Sequence, residues 1–146
     1  MITIIVRFTI PGEAVGKGRP RMSVVNGHGR MYTPGKTAQY EQLVKLAASE
    51  AMGEQPPTDK PVHLGIWVYL PIPQSASKKA REAMLESRVH PAKKPDLDNC
   101  IKSIMDGLNQ VAFLDDKQIV TIHAGKHYSD KPRVEVEIYT QEHMGV

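Results

Sequence analysis

Apolar and polar residues alternate over the first ten positions: Ile2, Ile4, Val6, Phe8 and Ile10 fall on every second residue. A period of two puts one side of an extended strand into a core, and Pro11-Gly12 ends it. The same alternation returns in Val62, Leu64, Ile66, Val68 and Leu70, and again in Val134, Val136 and Ile138, interleaved with Arg133, Glu135 and Glu137. Residues 119–127 and 133–140 read as two closing strands around the turn Ser129-Asp130-Lys131-Pro132. Two shorter runs, 22–25 and 30–32, flank Asn26-Gly27, the dipeptide favoured by type I′ hairpin turns.

Elsewhere the period lengthens to that of a helix. Tyr40, Leu43, Val44, Ala47, Ala48 and Ala51 share one helical face. Thr33 is placed to cap that helix, Pro34 to open it and Gly53 to stop it. Ser77 is placed to cap a short basic helix over 78–87, and residues 88–95 have no helical period. Over 96–112, Ile101, Ile104, Met105, Leu108 and Val111 form an apolar stripe. The order is strand, hairpin, helix, strand, helix, helix, strand, strand. It predicts an α+β fold: one compact domain, 1–146, with helices packed on a mixed sheet.

Composition narrows the function classes. At 40% hydrophobic and 24% charged residues the chain is globular rather than disordered. No apolar run is long enough to span a bilayer, and the alternating N-terminus is a strand rather than a signal peptide. One cysteine, Cys100, forbids an internal disulfide, so a reducing, cytoplasmic setting is expected. Aromatics are only 5%, too sparse for a single-strand stacking platform. The net charge is +3, and its distribution says more than its size. Between Glu13 and Glu41 the only charges are Lys17, Arg19, Arg21, Arg30 and Lys36, among glycines. Lys78, Lys79, Arg81, Arg88, Lys93 and Lys94 form a second basic concentration, diluted by Glu82 and Glu86. Such runs either solubilise a surface or contact phosphates. The phosphate reading selects Lys17, Arg19, Arg21, Lys93 and Lys94.

The densest chemistry lies in KKPDLDNCIKSIMDGLNQVAFLDDKQ, residues 93–118. Asp96 and Asp98 stand where a loop enters the helix; Asp115 and Asp116 stand after it, just before a strand. Lys102 follows Asp98 by one helical turn, and Asp106 extends that face. Clustered carboxylates suit a hard cation such as Mg²⁺, and two such ions can flank a phosphodiester. This needs the helix to return the chain so that the second acidic pair meets the first. The simpler readings are an N-cap at Asp96 or Asp98, a solvated charge ladder through Lys102, and a turn at Asp115-Asp116. No His/Cys spacing offers a zinc site. Trp67 is expected in the core or in a dimer contact, and Cys100 as a small buried residue.

The motifs K-P-D-L-D-N (94–99), Lys102, D-G-L-N (106–109) and L-D-D-K-Q (114–118) resemble the signature of RusA-type crossover-junction endodeoxyribonucleases. K-G-R-P-R (17–21), Y-T-P (32–34) and Tyr40-Glu41 are similar to that family's N-terminal half. The resemblance implies a RusA-like fold and a homodimer that resolves Holliday junctions by paired nicks. It implies Mg²⁺ as cofactor, with Mn²⁺ as a substitute, and a bacterial or prophage setting in recombination and repair. By motif, the catalytic and metal-binding aspartates fall on Asp96, Asp98 and Asp116, and the catalytic lysine on Lys102. Asp115 falls to a supporting role. The competing functions are a nuclease for other branched or flap DNA, a non-catalytic DNA binder, and a structural domain with an incidental acidic turn.

Overall fold

The computed structural model describes residues 1–18, 21–32 and 35–142, so the cap expected at Thr33-Pro34 lies outside the described residues. The chain runs β1 (Ile2–Pro11), β2 (Arg21–Val25), β3 (His28–Tyr32), α1 (Gly35–Met52), β4 (Val62–Pro71), α2 (Lys78–Leu85), α3 (Leu97–Leu108), β5 (Ile119–Ser129) and β6 (Arg133–Gln141). β2 and β3 form a separate hairpin. Its Asn26 and Gly27 take φ of 52° and 78°, the left-handed pair a type I′ turn requires. The other four strands form a mixed sheet in the order β1-β6-β4-β5. β6 is antiparallel to both its neighbours, and β4 and β5 are parallel. A parallel pair needs a crossover; the segment carrying α2 and α3 supplies it.

α1 and α3 cover one face of this sheet. Val44, Ala48 and Met52 from α1 and Ile104 and Leu108 from α3 are buried with Val6, Ile10, Leu64, Ile66, Val68, Val134, Val136 and Ile138. The two helices meet at Gly107, where an added Cβ would lie 2.7 Å from Val44 Cβ and 2.9 Å from the Glu41 carbonyl oxygen. The opposite face is open. On it, Arg7 pairs with Glu137 at 2.6 Å, His63 stacks on Tyr139, and the Arg133 guanidinium lies 4.0 Å from the centre of the Tyr69 ring. Trp67 lies on this open face, over Gly65, rather than in the core.

Two expectations fail locally. The alternation in β1 does not bury one continuous side. The register against β6 shifts between Ile4 and Val6, so Val6 and Ile10 are buried while Ile2 and Ile4 stay exposed. The helix expected over 96–112 ends at Leu108. Gln110 takes a left-handed φ of 66°, its N–H donates to the Phe113 carbonyl at 2.7 Å, and Ala112 and Phe113 tuck into the core. Burying Phe113 outweighs another helical turn.

Candidate active site

The loop from α2 enters α3 at Asp96, which occupies the N-cap position with φ −67° and ψ 139°. Its backbone carbonyl accepts the Cys100 N–H at 3.1 Å, as the start of a helix demands, but its carboxylate makes no capping hydrogen bond. The N-cap explanation of Asp96 is therefore not realised. Asp98, in the first turn, accepts the Asn99 N–H on Oδ1 at 2.9 Å. Both side chains are exposed, at the end of the helix where the dipole favours anions. Lys102 is exposed one turn further along. Beneath them, burial pushes the Cys100 thiol up to about 11, with Asp96 and Asp98 adding to the rise against Lys126.

The glycine-rich stretch before β2 is tied to this helix end. The Lys17 N–H donates to the Asn99 carbonyl at 2.9 Å, and Ser103 Oγ donates to the Val15 carbonyl at 2.8 Å. A Cβ on Gly16 would stand 3.1 Å from that of Asn99, a spacing that favours glycine. Lys17 Nζ lies 2.6 Å from Glu41 Oε1 and 2.9 Å from Asp106 Oδ2. Burial lowers the Lys17 pKa, but these two carboxylates outweigh it and hold the ammonium charged. The charge of Lys17 is thus committed inside the protein, and Asp106 is committed with it rather than extending the Asp98–Lys102 face. Arg19 and the Arg21 side chain lie outside the described residues.

A groove of about 730 Å³ runs beside Asp96, lined among others by Glu13, Lys17, Lys36 and Lys94. Lys93 and Lys94 are both exposed in the loop ahead of Asp96. Lys93 also sits 5.6 Å from the centre of the Tyr128 ring, and its carbonyl accepts Lys126 Nζ at 2.6 Å. Lys36 and Lys126 are the site-facing cations that the motif match does not select. Lys36 belongs to the acid-free run. Lys126 stands in phase with Val120, Ile122 and Ala124 on β5, and a lysine at such a position is itself a signal.

The second acidic pair divides clearly. Asp115 caps a single 3₁₀ turn, Asp116–Gln118: its Oδ2 accepts the Lys117 N–H at 3.1 Å, and its N–H donates to Gln118 Oε1 at 2.9 Å. Gln118 Nε2 then donates to the carbonyls of Thr58 and Lys60. The Asp115 carboxylate is engaged in this cap, while the half-buried Asp116 makes no such bond among the described residues. Neither reaches Asp96. α3 has 12 residues, about 18 Å at 1.5 Å each. Its start lies near Leu70 and Pro71 at the end of β4, whereas Asp115 and Asp116 sit by Thr58 and Lys60 ahead of β4. The expected return fails because β5 runs parallel to β4 and must begin at the opposite end of the sheet. Among the described residues no three His, Cys, Asp or Glu side chains converge as a metal-holding group. One chain assembles Asp96, Asp98 and Lys102, and leaves Asp116 at the far end.

Residues 11–139 match the family model described as Endodeoxyribonuclease RusA. The chain belongs to the RusA endodeoxyribonuclease family. It is also 42% identical over 135 residues to the uncharacterized protein YqaN of Bacillus subtilis (strain 168), covering 91% of this chain and 94% of YqaN. Membership makes the protein a nuclease of a family that acts on branched DNA junctions and needs a divalent metal ion. No helix among the described residues is long and apolar enough to cross a membrane.

Proposed function

We propose that this protein is a Mg²⁺-dependent Holliday junction resolvase, active as a homodimer that nicks two strands symmetrically during recombination and repair. Mn²⁺ substitutes for Mg²⁺, and the setting is the cytoplasm of a bacterium or of a prophage host. The observation that carries this reading is the carboxylate of Asp96. It occupies a helix N-cap yet caps nothing, and it stands beside Asp98 and a lysine-lined groove. Exposed carboxylate oxygens at that place, of which Asp98 Oδ1 accepts only a local N–H, fit a hard cation, which takes one or two protein carboxylates and leaves other positions to water and phosphate.

Asp96 and Asp98 would hold the ion, which when bound supplies Lewis-acid charge against the scissile phosphate. Lys102 stabilises the negative charge that develops on the phosphate oxygens. Lys94 and Lys93 steady the DNA backbone along the groove. Asp116 joins this set only if a second copy brings it across, because its own chain keeps it a helix length away. A homodimer with a two-fold axis meets that need and also matches a substrate with two equivalent strands.

The test is a labelled synthetic four-way junction, compared with a linear duplex of matched sequence, with and without Mg²⁺. Paired symmetric nicks in the junction alone, dependent on Mg²⁺, are expected; equal cutting of the duplex refutes junction selectivity. Asp98→Asn lowers cleavage by roughly 10³-fold while junction binding persists, since asparagine keeps an oxygen to accept the Asn99 N–H and removes only the exposed charge. Undiminished cleavage by this variant refutes the assignment.

A further inference from the structure

The end of α3 that carries Asp96 and Asp98 is held from two sides. The glycine-rich stretch grips the helix itself, through the Asn99 carbonyl and Ser103 Oγ. Neither bond touches the chain that leads into Asp96. Pro91 is buried there, but Ala92, Lys93, Lys94 and Asp96 are exposed. Pro91 and Pro95 also take two N–H donors away from this loop. Among the described residues the backbone of 90–95 makes one hydrogen bond: the Lys93 carbonyl accepts Lys126 Nζ at 2.6 Å.

Lys126 stands on β5 in phase with Ala124, which packs on the core beneath the helices, and it is half-buried. No carboxylate of the described residues lies within ion-pair distance of its ammonium. A partly desolvated charge without a counter-ion is costly, so this lysine is kept for something other than an ion pair. Its charge is felt at the Cys100 thiol, beneath Asp96 and Asp98. The next two residues hold the same loop. His127 meets His90 edge-on with ring centres 6.0 Å apart, and the Tyr128 ring lies 5.6 Å from Lys93 Nζ. Successive strand residues point to opposite faces, so the loop wraps the edge of the sheet and Lys126 supplies its hydrogen bond.

We propose that Lys126 is a positioning residue for the metal-binding carboxylate of Asp96. It acts through the Lys93 carbonyl, fixing the chain three residues ahead of Asp96 and with it the direction of that side chain. The proposal rests on the nuclease reading above, in which Asp96 and Asp98 hold the ion. Removing the partner that orients a ligand costs roughly 10–100-fold in metal affinity or activity. A positive charge near the ion acts in the opposite sense, because it repels the cation. Loss of positioning therefore weakens metal binding, whereas loss of the charge alone tightens it.

The test compares wild type, Lys126→Met and Lys126→Arg in the full chain. Mn²⁺ binding to the DNA-free protein, followed by the EPR signal of the free ion, weakens roughly 10–100-fold in Lys126→Met. Lys126→Arg keeps a charged donor on a long stem and recovers most of the loss. NMR order parameters of the Lys93, Lys94 and Asp96 amides fall in Lys126→Met from about 0.85 to about 0.6, while those inside α3 hold and show that the variant is folded. The slope of log junction affinity against log salt stays unchanged. Metal binding as tight as in the wild type or tighter, a loss shared equally by Lys126→Arg, unchanged order parameters, or a slope reduced by about 0.9, one phosphate contact, overturns the proposal. The two readings fail separately. A wild type that binds no Mn²⁺ and nicks no junction refutes the nuclease. A wild type that does both, with Lys126→Met its equal, refutes only the role of Lys126.

Discussion

Lys17→Met separates two roles for a basic residue beside the candidate site: a phosphate contact, or an internal tie. The ammonium lies 2.6 Å from Glu41 and 2.9 Å from Asp106, and the three side chains are only 16%, 21% and 25% exposed. With charge centres about 4 Å apart and an effective dielectric near 20, each attraction is about 4 kcal/mol before desolvation. Methionine keeps most of the packing, removes both attractions and leaves two carboxylates facing each other. Stripping one partner from a fully buried pair costs about 3–5 kcal/mol, and the residual exposure here lowers that to about 2–4 kcal/mol. For a chain of this size the melting temperature falls by roughly 6–14 °C. Urea denaturation followed by the fluorescence of Trp67, the sole tryptophan, measures the loss. The triple variant Lys17→Met/Glu41→Gln/Asp106→Asn recovers most of it, because no uncompensated charge remains. In DNA binding, Lys17→Met leaves the slope of log affinity against log salt nearly unchanged, whereas Lys94→Met reduces it by about 0.9, one phosphate contact. A stability loss below about 0.5 kcal/mol, with the slope falling by one contact, refutes the reasoning and returns Lys17 to the DNA surface.

The remaining predictions test other links. Asp115→Ala loses the capping box and about 1 kcal/mol of stability in urea denaturation, with cleavage retained; Asp116→Asn loses cleavage with stability unchanged. Mixing Asp98→Asn with Asp116→Asn restores nicking if the site is shared between copies, since one site of the heterodimer is then intact, and continued inactivity of the mixture contradicts sharing. Gly107→Val overpacks the α1–α3 contact and costs about 1–3 kcal/mol or more by the same denaturation assay. Burial raises the Cys100 pKa from 9.0 to about 11, so the native state holds that proton more tightly than the unfolded chain. The resulting stability is present below pH 9 and is lost as pH rises through about 11, and Cys100→Ala flattens that alkaline decline in a pH series of unfolding curves. The raised Tyr40 and Lys17 act in the same direction, so a slope remains.

Strand and helix identity was legible because period two and period 3.6 are properties of the chain itself. β4, β5, β6 and the Ser77 cap of α2 stand where the pattern puts them. The failures arise where a tertiary contact overrides a local preference. The end of α3 yields to the burial of Phe113, and the face of β1 yields to a register shift that only its pairing with β6 can define. At the candidate site, residue types were legible and their commitments were not. Lys17, Asp106 and Asp115 carry the right charges, but each is bound to a partner far along the chain or to a capping geometry invisible in one dimension. Asp96 moves the opposite way: its position predicts a cap, and its carboxylate makes no capping hydrogen bond.

The separation of Asp116 from Asp96 follows from topology rather than from an accident of side-chain placement. A crossover between parallel strands returns the chain to the starting end of the next strand. Residues at the two ends of the crossover helix therefore lie at opposite ends of the sheet. Any chain that puts one acidic pair before such a helix and another after it must either use them for separate purposes or unite them between copies. The Asp115 carboxylate caps the 3₁₀ turn. Asp116 has no comparable use among the described residues, and it lies just ahead of the edge strand β5, whose first half is uncharged and whose second half carries Lys126. A second copy related by a two-fold axis, as proposed above, would exchange the two ends and bring Asp116 of one copy towards Asp96 and Asp98 of the other.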